Sequence, residues 1–279
     1  MTKLGLIAGG GGLPLEVAEH CRRTGRPLFV VRLKGFADSG LTAYPGADVG
    51  LAELGRCIKA LKVAQCEAVC LAGLVARPDF AALKPDLRGL AALPGAVAAA
   101  RKGDDALLRF LLGEFEKEGF TVEGVHQVTA DLALGAGALG RVRPDAEACA
   151  DASRALEVAR ALGRLDIGQA AVVCRGLVLA VEAQEGTAAL LQRVASLPEA
   201  IRGSSRNRAG VLAKAPKPIQ ETRVDMPTIG PDTLHAAAAA GLAGVAGEAG
   251  RLLIVERETV VALADELGLF VVGLEPAAA

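Results

Sequence analysis

The sequence predicts an α/β protein with two domains, an N-terminal Rossmann-like parallel-sheet domain and a C-terminal mixed α/β domain. Strand-like and helix-like runs alternate through the first half, and a glycine-rich segment interrupts this pattern near residue 133. A β-hairpin pattern then opens the second half. Alternation of this kind builds right-handed βαβ units around a parallel sheet. We therefore expect domains at 1–133 and 134–279, joined by a short linker.

In the first half, apolar runs favour strands and amphipathic runs favour helices. The run from Leu107 to Phe115 has helical periodicity, and Asp104 is the expected N-cap of its helix. The predicted strands lie at 4–8, 27–33, 68–74 and 121–128, and the predicted helices lie at 13–24, 51–62 and 104–119.

The second half follows a glycine-rich stretch at 132–144 that closes with a proline. Two apolar runs separated by Arg175-Gly176 predict a hairpin, and Thr187 is the expected cap of the next helix. The predicted strands are 169–174, 177–182, 210–213, 251–255 and 269–272, and the predicted helices are 146–162, 188–194, one from 232 and 258–267.

Composition excludes several classes of protein. With 279 residues of which 52% are hydrophobic, the chain can bury two cores and is not disordered. The net charge of −1 and the aromatic content of 3% argue against a nucleic-acid partner. No signal peptide and no uncharged apolar run of about 18–20 residues is present, so we expect a cytoplasmic protein. The six cysteines fit small buried hydrophobic residues in a reducing compartment.

Four consecutive glycines follow the first strand in the run Ala8-Gly-Gly-Gly-Gly-Leu-Pro14. Unhindered glycine amides at a helix N-terminus form an anion-binding site, so this run predicts a cradle for a diphosphate or sugar nucleotide. A purely structural tight turn is the alternative. The dinucleotide fingerprint fails because Pro14 replaces its third glycine, and the second strand ends in Arg32 and Lys34 instead of an acid. An NAD-linked oxidoreductase is therefore disfavoured.

The segment 213–230 gathers charged side chains within an aliphatic sequence. Prolines at both ends favour extended backbone, and alternation then places Glu221, Arg223 and Asp225 on one face. Two acids that flank an arginine could hold a metal ion beside a phosphorylated ligand. An edge strand whose charges face solvent and pair with one another is an equally open alternative.

Other polar residues have simple structural explanations. His20, His126 and His235 are scattered singly, and each is interpreted as a structural histidine with satisfied hydrogen bonds. No G-x-S-x-G motif supports a serine hydrolase. The Ala/Leu-rich stretches 135–139 and 236–245 could line a groove for acyl chains, but burial in the core explains them better.

These motifs together resemble the LpxI-type UDP-2,3-diacylglucosamine pyrophosphatases over essentially the whole chain. The resemblance rests on the glycine run, Lys102-Gly-Asp-Asp105, Asp166-Ile-Gly-Gln169, Glu182-Ala-Gln-Glu-Gly-Thr187 and the run from Lys217 to Gly230. It implies a Mg²⁺-dependent hydrolase of lipid A biosynthesis that converts UDP-2,3-diacylglucosamine to 2,3-diacylglucosamine 1-phosphate (lipid X) and UMP. It also implies peripheral association with the cytoplasmic surface of the inner membrane.

The resemblance assigns Asp225 the catalytic role, as a magnesium ligand or as the residue that orients water. Glu221 is a second candidate ligand because of its position beside Arg223, although family members often carry an aspartate there. A protein that binds a sugar nucleotide or an acyl lipid without turnover is the alternative, and a homodimer is an open possibility. The candidate substrate-binding residues are Gly10, Gly11, Gly12, Leu13, Gly73, Asp104, Gln169, Thr187, Lys214, Lys217, Gln220 and Arg223.

Overall fold

The computed structural model describes residues 1–76, 79–80, 82–217, 221, 223 and 226–275. Their contacts divide the chain into two compact units. The first unit comprises Met1–Ala130 together with Glu221 and Arg223, and the second comprises 131–217 and 226–275. No helix among the described residues is both long enough and apolar enough to cross a membrane.

The N-terminal unit is a five-stranded parallel sheet with helices packed on it. Its strand order, β3-β2-β1-β4-β5, is that of a Rossmann-like sheet, as predicted. The strands are β1 (Leu4–Ala8), β2 (Leu28–Leu33), β3 (Gly46–Val49), β4 (Ala68–Ala72) and β5 (Thr121–Val122), and the helices are α1 (Leu13–Thr24), α2 (Leu54–Val63), α3 (Leu87–Ala100), α4 (Asp104–Lys117) and α5 (Val125–Val128). A 3₁₀ helix covers Ser39–Ala43.

Burial explains why β1 lies at the centre of this sheet. All five of its residues are buried, as expected for a parallel strand covered on both faces.

Pro14 lies in the first turn of α1, where a missing amide hydrogen costs nothing. Gly25, in the left-handed region at φ 71°, ends the same helix. The glycine run therefore lies between the carboxyl end of β1 and the first turn of α1.

The C-terminal unit is a mixed six-stranded sheet of order β6-β13-β11-β9-β7-β8. Strands β13, β11 and β9 are parallel, whereas β6, β7 and β8 pair antiparallel to their neighbours. The strands are β6 (Gly137–Leu139), β7 (Ala170–Cys174), β8 (Leu177–Val181), β9 (Val211–Lys214), β10 (Thr228–Ile229), β11 (Gly244–Glu248), β12 (Leu253–Ile254) and β13 (Phe270–Leu274). The helices are α6 (Ala146–Arg164), α7 (Gly186–Ala195), α8 (Glu199–Arg202), α9 (Pro231–Ala239) and α10 (Arg257–Leu267), with a 3₁₀ turn at Ala130–Leu132.

Two apolar cores sandwich this sheet. Ala152, Ala155 and Ala159 of α6 pack on one face. On the other face Leu190, Leu234 and the remaining apolar side chains of α7, α9 and α10 form a larger cluster, together with two-stranded β10–β12. The stretch 236–245 contributes buried residues to these cores, so the core interpretation is confirmed there. It is wrong for 135–139, because Gly137–Leu139 forms the edge strand β6 and residues 135–137 are exposed.

Several predicted elements are wrong in detail. Only Thr121–Val122 of the predicted strand 121–128 is extended, and Val125–Val128 is a short helix. Asp104 is the first residue of its helix, and Gly103 is the N-cap. Thr187 likewise lies inside α7 and does not cap it, because its hydroxyl donates to a carboxylate instead.

Sequence patterns did not predict β3, α3, β6, α8, β10 or β11. Strand β11 is central, but its sequence Gly-Val-Ala-Gly-Glu has low β-propensity. A Cβ atom on Gly244 would stand 2.5 Å from the Phe270 ring, and one on Gly247 would stand 2.4 Å from Leu252. Close packing therefore requires glycines here and hides the strand pattern. Helix α3 contains two glycines and Pro94, which conceal it in the same way.

Candidate active site

The glycine run forms a loop that is held against the chain following β4. Gly10 and Leu74 exchange two backbone hydrogen bonds of 2.8 Å, and the Gly9 amide donates to Ala72 at 2.8 Å. A Cβ atom on Gly9 would stand 2.7 Å from the Leu74 carbonyl oxygen. Gly9 is therefore needed for the close approach of two backbones.

Gly73 is needed for the same contact, from the opposite side. Its φ of 94° lies in the left-handed region, and its Cβ atom would stand 2.6 Å from the Gly10 oxygen and 2.7 Å from Pro14. The structure thus brings predicted residues Gly10 and Gly73 together. The tight-turn alternative explains part of the glycine run, because Gly9 serves packing.

Gly11 and Gly12 are different because both are exposed at the start of α1. Gly11 has a φ of 82°, and a Cβ atom there would meet nothing within 4 Å. Gly12 is the N-cap of the helix and Leu13 its first residue. The first amides of a helix have no intrahelical partner, so this end can donate to an anion.

An apolar cavity of about 500 Å³ adjoins this loop within the N-terminal unit. Gly9, Gly73 and Leu74 form part of its wall, and the carboxyl ends of β1, β2 and β4 contribute apolar side chains. Helices α3 and α4 supply the opposite wall, with Leu93 and Leu108 among the lining residues. Asp104 also lines the cavity, so the structure brings this predicted residue near Gly73.

Glu221 and Arg223 form a tight pair on the outside of α4. The guanidinium of Arg223 donates to both carboxylate oxygens of Glu221, each at 2.9 Å. Arg223 also donates from Nη1 to Glu116 at 2.8 Å, and the Glu221 amide donates to Asp105 at 2.6 Å. Hydrogen bonds from Arg223 lower the pKa of Glu221, and those to Glu221 and Glu116 raise the pKa of Arg223.

This pairing matches one part of the predicted alternative, in which the charges of the segment neutralise one another. It also bears on the fit of a magnesium ion. Both oxygens of Glu221 already accept from Arg223, so a cation would compete with that guanidinium. Across the described residues, no group of three or more His, Cys, Asp or Glu side chains could hold a metal ion. Asp225 and Gln220 lie outside the described residues.

His126 lies beside the same segment. A Cβ atom on Gly124 would stand 2.6 Å from Cε1 of the His126 ring and 2.9 Å from Cα of Arg223. The His126 ring and the Arg223 backbone therefore both lie against Gly124. Nδ1 of His126 is buried without a hydrogen-bond partner among the described residues, and burial lowers the pKa of the ring. The expectation of a structural histidine with satisfied hydrogen bonds is therefore wrong for His126.

The C-terminal unit gathers a second group of predicted residues around the buried carboxylate of Glu182. This carboxylate accepts from the Thr187 hydroxyl at 2.5 Å and from the Gln169 amide at 3.0 Å. The side-chain oxygen of Gln169 is buried and has no partner among the described residues. An unpaired buried oxygen is costly unless a ligand completes its hydrogen bond.

Two lysines lie next to this group. The carbonyl of Gln169 accepts from Ala215, the residue after Lys214. Lys214 is buried and donates to the Thr228 carbonyl at 3.0 Å, and Lys217 pairs with Asp166 at 2.7 Å. The structure therefore collects Gln169, Thr187, Lys214 and Lys217 in one polar cluster of the C-terminal unit.

Four polar residues of these groups were not among the predicted site residues, namely Asp105, Glu116, Asp166 and Glu182. Three of them belong to motifs that carry the family resemblance, the Lys102–Asp105 run and the runs beginning at Asp166 and Glu182. Helical periodicity could also have indicated the cavity wall, since Asp104, Leu107, Leu108 and Leu111 share one face of α4.

Comparison with known proteins identifies the family. Residues 3–132 match the LpxI N-terminal domain, and residues 135–272 match the LpxI C-terminal domain. The chain is also 65% identical over 276 residues to the UDP-2,3-diacylglucosamine pyrophosphatase LpxI of Caulobacter vibrioides, with 99% of each chain covered. Both halves match the same family in the same order. The chain therefore belongs to the LpxI family.

Proposed function

We propose that this protein hydrolyses UDP-2,3-diacylglucosamine to 2,3-diacylglucosamine 1-phosphate and UMP. The observation that carries the proposal is the apolar cavity of about 500 Å³ bordered by the glycine loop. An amphiphile that joins acyl chains to a diphosphate needs an apolar cavity beside an anion-binding loop. The near-identical length and 65% identity to the Caulobacter relative, whose name states this activity, support the same substrate.

The residues of this chain would divide the work by their chemistry. The amides of the exposed Gly11 and Gly12 and of the half-buried Leu13 would donate to phosphate oxygens. Arg223 uses three of its five N–H groups in the described contacts, so it retains donors for a phosphate. Donors arranged before the reaction stabilise the charge that develops on a diphosphate as water attacks.

In this proposal, Asp225 orients the attacking water or binds magnesium. The described carboxylates do not form a magnesium site by themselves, so we derive no step through the metal. Metal dependence rests on the resemblance and on Asp225. The family resemblance implies that water attacks the phosphorus on the sugar side. In H₂¹⁸O, the label should then appear in 2,3-diacylglucosamine 1-phosphate and not in UMP.

The direct test is release of UMP from detergent-dispersed UDP-2,3-diacylglucosamine by the purified protein. With Mg²⁺ we expect turnover, and with excess EDTA we expect its loss and recovery when Mg²⁺ is restored. Saturable binding of the lipid without UMP release would instead identify a non-catalytic binding protein. Turnover that persists in EDTA would remove magnesium from the proposal.

The cavity has its own test. Ala92→Phe places a ring into the cavity wall on α3, whereas Ala150→Phe places one on the exposed surface of α6 as the control. Each buried methylene contributes about 0.8 kcal/mol, so excluding two methylenes weakens binding roughly tenfold. We therefore expect KM to rise about tenfold for Ala92→Phe and to stay unchanged for Ala150→Phe. Equal KM values for both variants would place the acyl chains elsewhere.

We also propose that the protein works at the cytoplasmic surface of the inner membrane, because its substrate and its lipid X product carry acyl chains. Analytical ultracentrifugation distinguishes a monomer from a homodimer.

A further inference from the structure

Helix α3 is apolar on both of its faces. On one face Gly89, Ala92, Leu93 and Ala96 line the cavity. On the other, Leu87 and Leu90 are 89% and 56% exposed, and Ala91, Pro94 and Ala98 are exposed as well. A surface helix of a soluble domain normally carries polar side chains on its outer face. The outer face of α3 therefore suits an apolar environment.

Basic side chains lie at both ends of this face. Lys84 precedes α3, and Arg101 and Lys102 follow it. All three are exposed, and none has an ion-pair partner among the described residues. The helix itself contains no acidic residue, and Asp86 at its N-terminus is turned inward, where it accepts from Gly89 at 2.8 Å. An exposed apolar face between unpaired cations is complementary to an anionic lipid surface.

The apolar surface continues to the cavity. Leu74 and Val75 are 79% and 40% exposed, and both also line the cavity wall. An exposed leucine on its own needs no explanation, but these side chains line the same cavity as α3. A lipid surface in contact with α3 would therefore face side chains that lead into the cavity.

We propose that the outer face of α3, namely Leu87, Leu90, Ala91, Pro94 and Ala98 with Lys84, Arg101 and Lys102, docks on a membrane surface rich in anionic phospholipid. The inference deepens the proposed function by naming the surface that meets the membrane. It rests on exposure and charge and not on hydrolysis. The apolar side chains would enter the headgroup region while the three cations contact lipid phosphates.

The test is cosedimentation of the purified full-length protein with vesicles that contain no substrate. One set holds phosphatidylglycerol and phosphatidylcholine, and the other holds phosphatidylcholine alone. We expect stronger binding to the anionic vesicles that weakens as salt rises. Failure of the wild-type protein to bind anionic vesicles would overturn the inference.

Two paired variants test whether vesicle binding depends on the outer face of α3 or on general surface hydrophobicity. The double variant Leu87→Glu/Leu90→Glu should reduce the partition coefficient at least tenfold. Its control is Leu165→Glu/Leu177→Glu, which makes the same change at side chains 71% and 60% exposed in the C-terminal unit. Equal loss in both pairs, or no loss in either, would contradict docking through α3.

A second set separates the cations of this face from the net charge. Changing Lys84, Arg101 and Lys102 to Gln should reduce binding to anionic vesicles at least tenfold and leave binding to neutral vesicles unchanged. The control changes Lys59, Arg164 and Arg206 to Gln, which removes three cations that also lack ion-pair partners among the described residues. A similar loss in the control would assign the effect to net charge and overturn the proposal.

Self-association and catalysis are separated from membrane docking by two further measurements. If analytical ultracentrifugation shows that Leu87→Glu/Leu90→Glu converts a dimer to a monomer without changing vesicle binding, a second copy covers α3 and the inference fails. Turnover of detergent-dispersed substrate should be unchanged in this variant. A wild-type protein that binds vesicles through α3 but releases no UMP would sink the proposed function and leave this inference intact.

Discussion

The guanidinium of Arg223 donates from Nη1 to the carboxylate of Glu116 at 2.8 Å, although 107 residues separate them in sequence. The Glu221 amide donates to Asp105, another residue of α4, at 2.6 Å. Two contacts thus fix the chain to α4 just before position 225. Because the proposed catalysis depends on the placement of Asp225, we expect α4 to position this residue as well as to form a wall of the cavity.

We predict that Glu116→Gln lowers kcat about tenfold while leaving KM within about threefold, since a small displacement of a reacting group is costly. Glu118→Gln is the control, because Glu118 at the end of the same helix pairs with Lys62 instead. Glu116→Gln removes one partly exposed ion pair, and Glu118→Gln removes two, with Lys62 and Arg88. The loss of stability should therefore be at most about 1 kcal/mol for each ion pair removed. Steady-state kinetics and urea unfolding check these values. Equal kcat for the two variants would limit Glu116 to a surface ion pair.

Asp225→Ala should reduce kcat on the order of a hundredfold or more, because a group that orients metal or water acts mainly in the transition state. Substrate affinity and melting temperature should change little. Calorimetric titration with the lipid and thermal melting provide the controls. If Asp225→Ala turns over lipid within about threefold of wild type, the assignment of the active site to this segment must be withdrawn.

Gly11→Val should weaken binding of the substrate, because its side chain would stand over the exposed amides. The control is Gly25→Val at the other end of α1, since both glycines have positive φ, 82° and 71°, and open space at the Cβ position. Left-handed backbone costs an L-residue roughly 1–2 kcal/mol, so both variants should lose comparable stability. Affinity should fall for Gly11→Val alone. Matching affinity in the two variants would leave the loop as a structural turn.

The thiols should differ sharply in reactivity. Cys149 is exposed and the other five are buried, so the expectation that all six are buried is wrong for Cys149. Ellman's reagent at pH 8 should label Cys149 first, and Cys149→Ala should remove this fast phase. Rapid labelling of a second thiol in the native protein would contradict the packing around it, in the N-terminal unit for four of the buried thiols and in the C-terminal unit for Cys174.

Burial raises the pKa of the Cys70 thiol from 9.0 to about 12. The folded state keeps this proton where the unfolded chain loses it. Its contribution to stability is therefore complete below pH 9 and is lost as pH rises toward 12. Urea unfolding at pH 8 and pH 10.5 should show a smaller loss of free energy of unfolding in Cys70→Ala than in wild type. An equal loss would place the alkaline effect on other groups.

Sequence periodicity predicted those elements whose own residues carry the pattern. The buried strands Leu4–Ala8 and Phe270–Leu274 are apolar throughout, and α6 has a regular apolar face, so each was recognised. Strand β11 escaped because tight contacts with Phe270 and Leu252 require glycine at two of its five positions. These contacts involve residues that are distant in sequence, so the local β-propensity of β11 does not reveal them.

Individual residues of the candidate site could be predicted from the sequence, but their arrangement in space could not. Gly10 and Gly73 were both named, yet their contact depends on how the loops after β1 and β4 meet. The apolar cavity that we propose for the acyl chains lies in the N-terminal unit, whereas the sequence directed attention to stretches near 137 and 240. The missing element was α3, whose wall residues were not recognised as helical. The role of Asp225 stays a prediction.

Gly9 and Gly73 each occupy the space that a side chain on the other loop would need. Substitutions of these two glycines should therefore show strong epistasis. A change that makes room for a side chain at one glycine does not remove the clash that a side chain would make at the other. Libraries that vary one loop at a time will return few folded clones. An engineer who wants to change the headgroup accepted by this enzyme family would have to exchange both loops together, as one cassette.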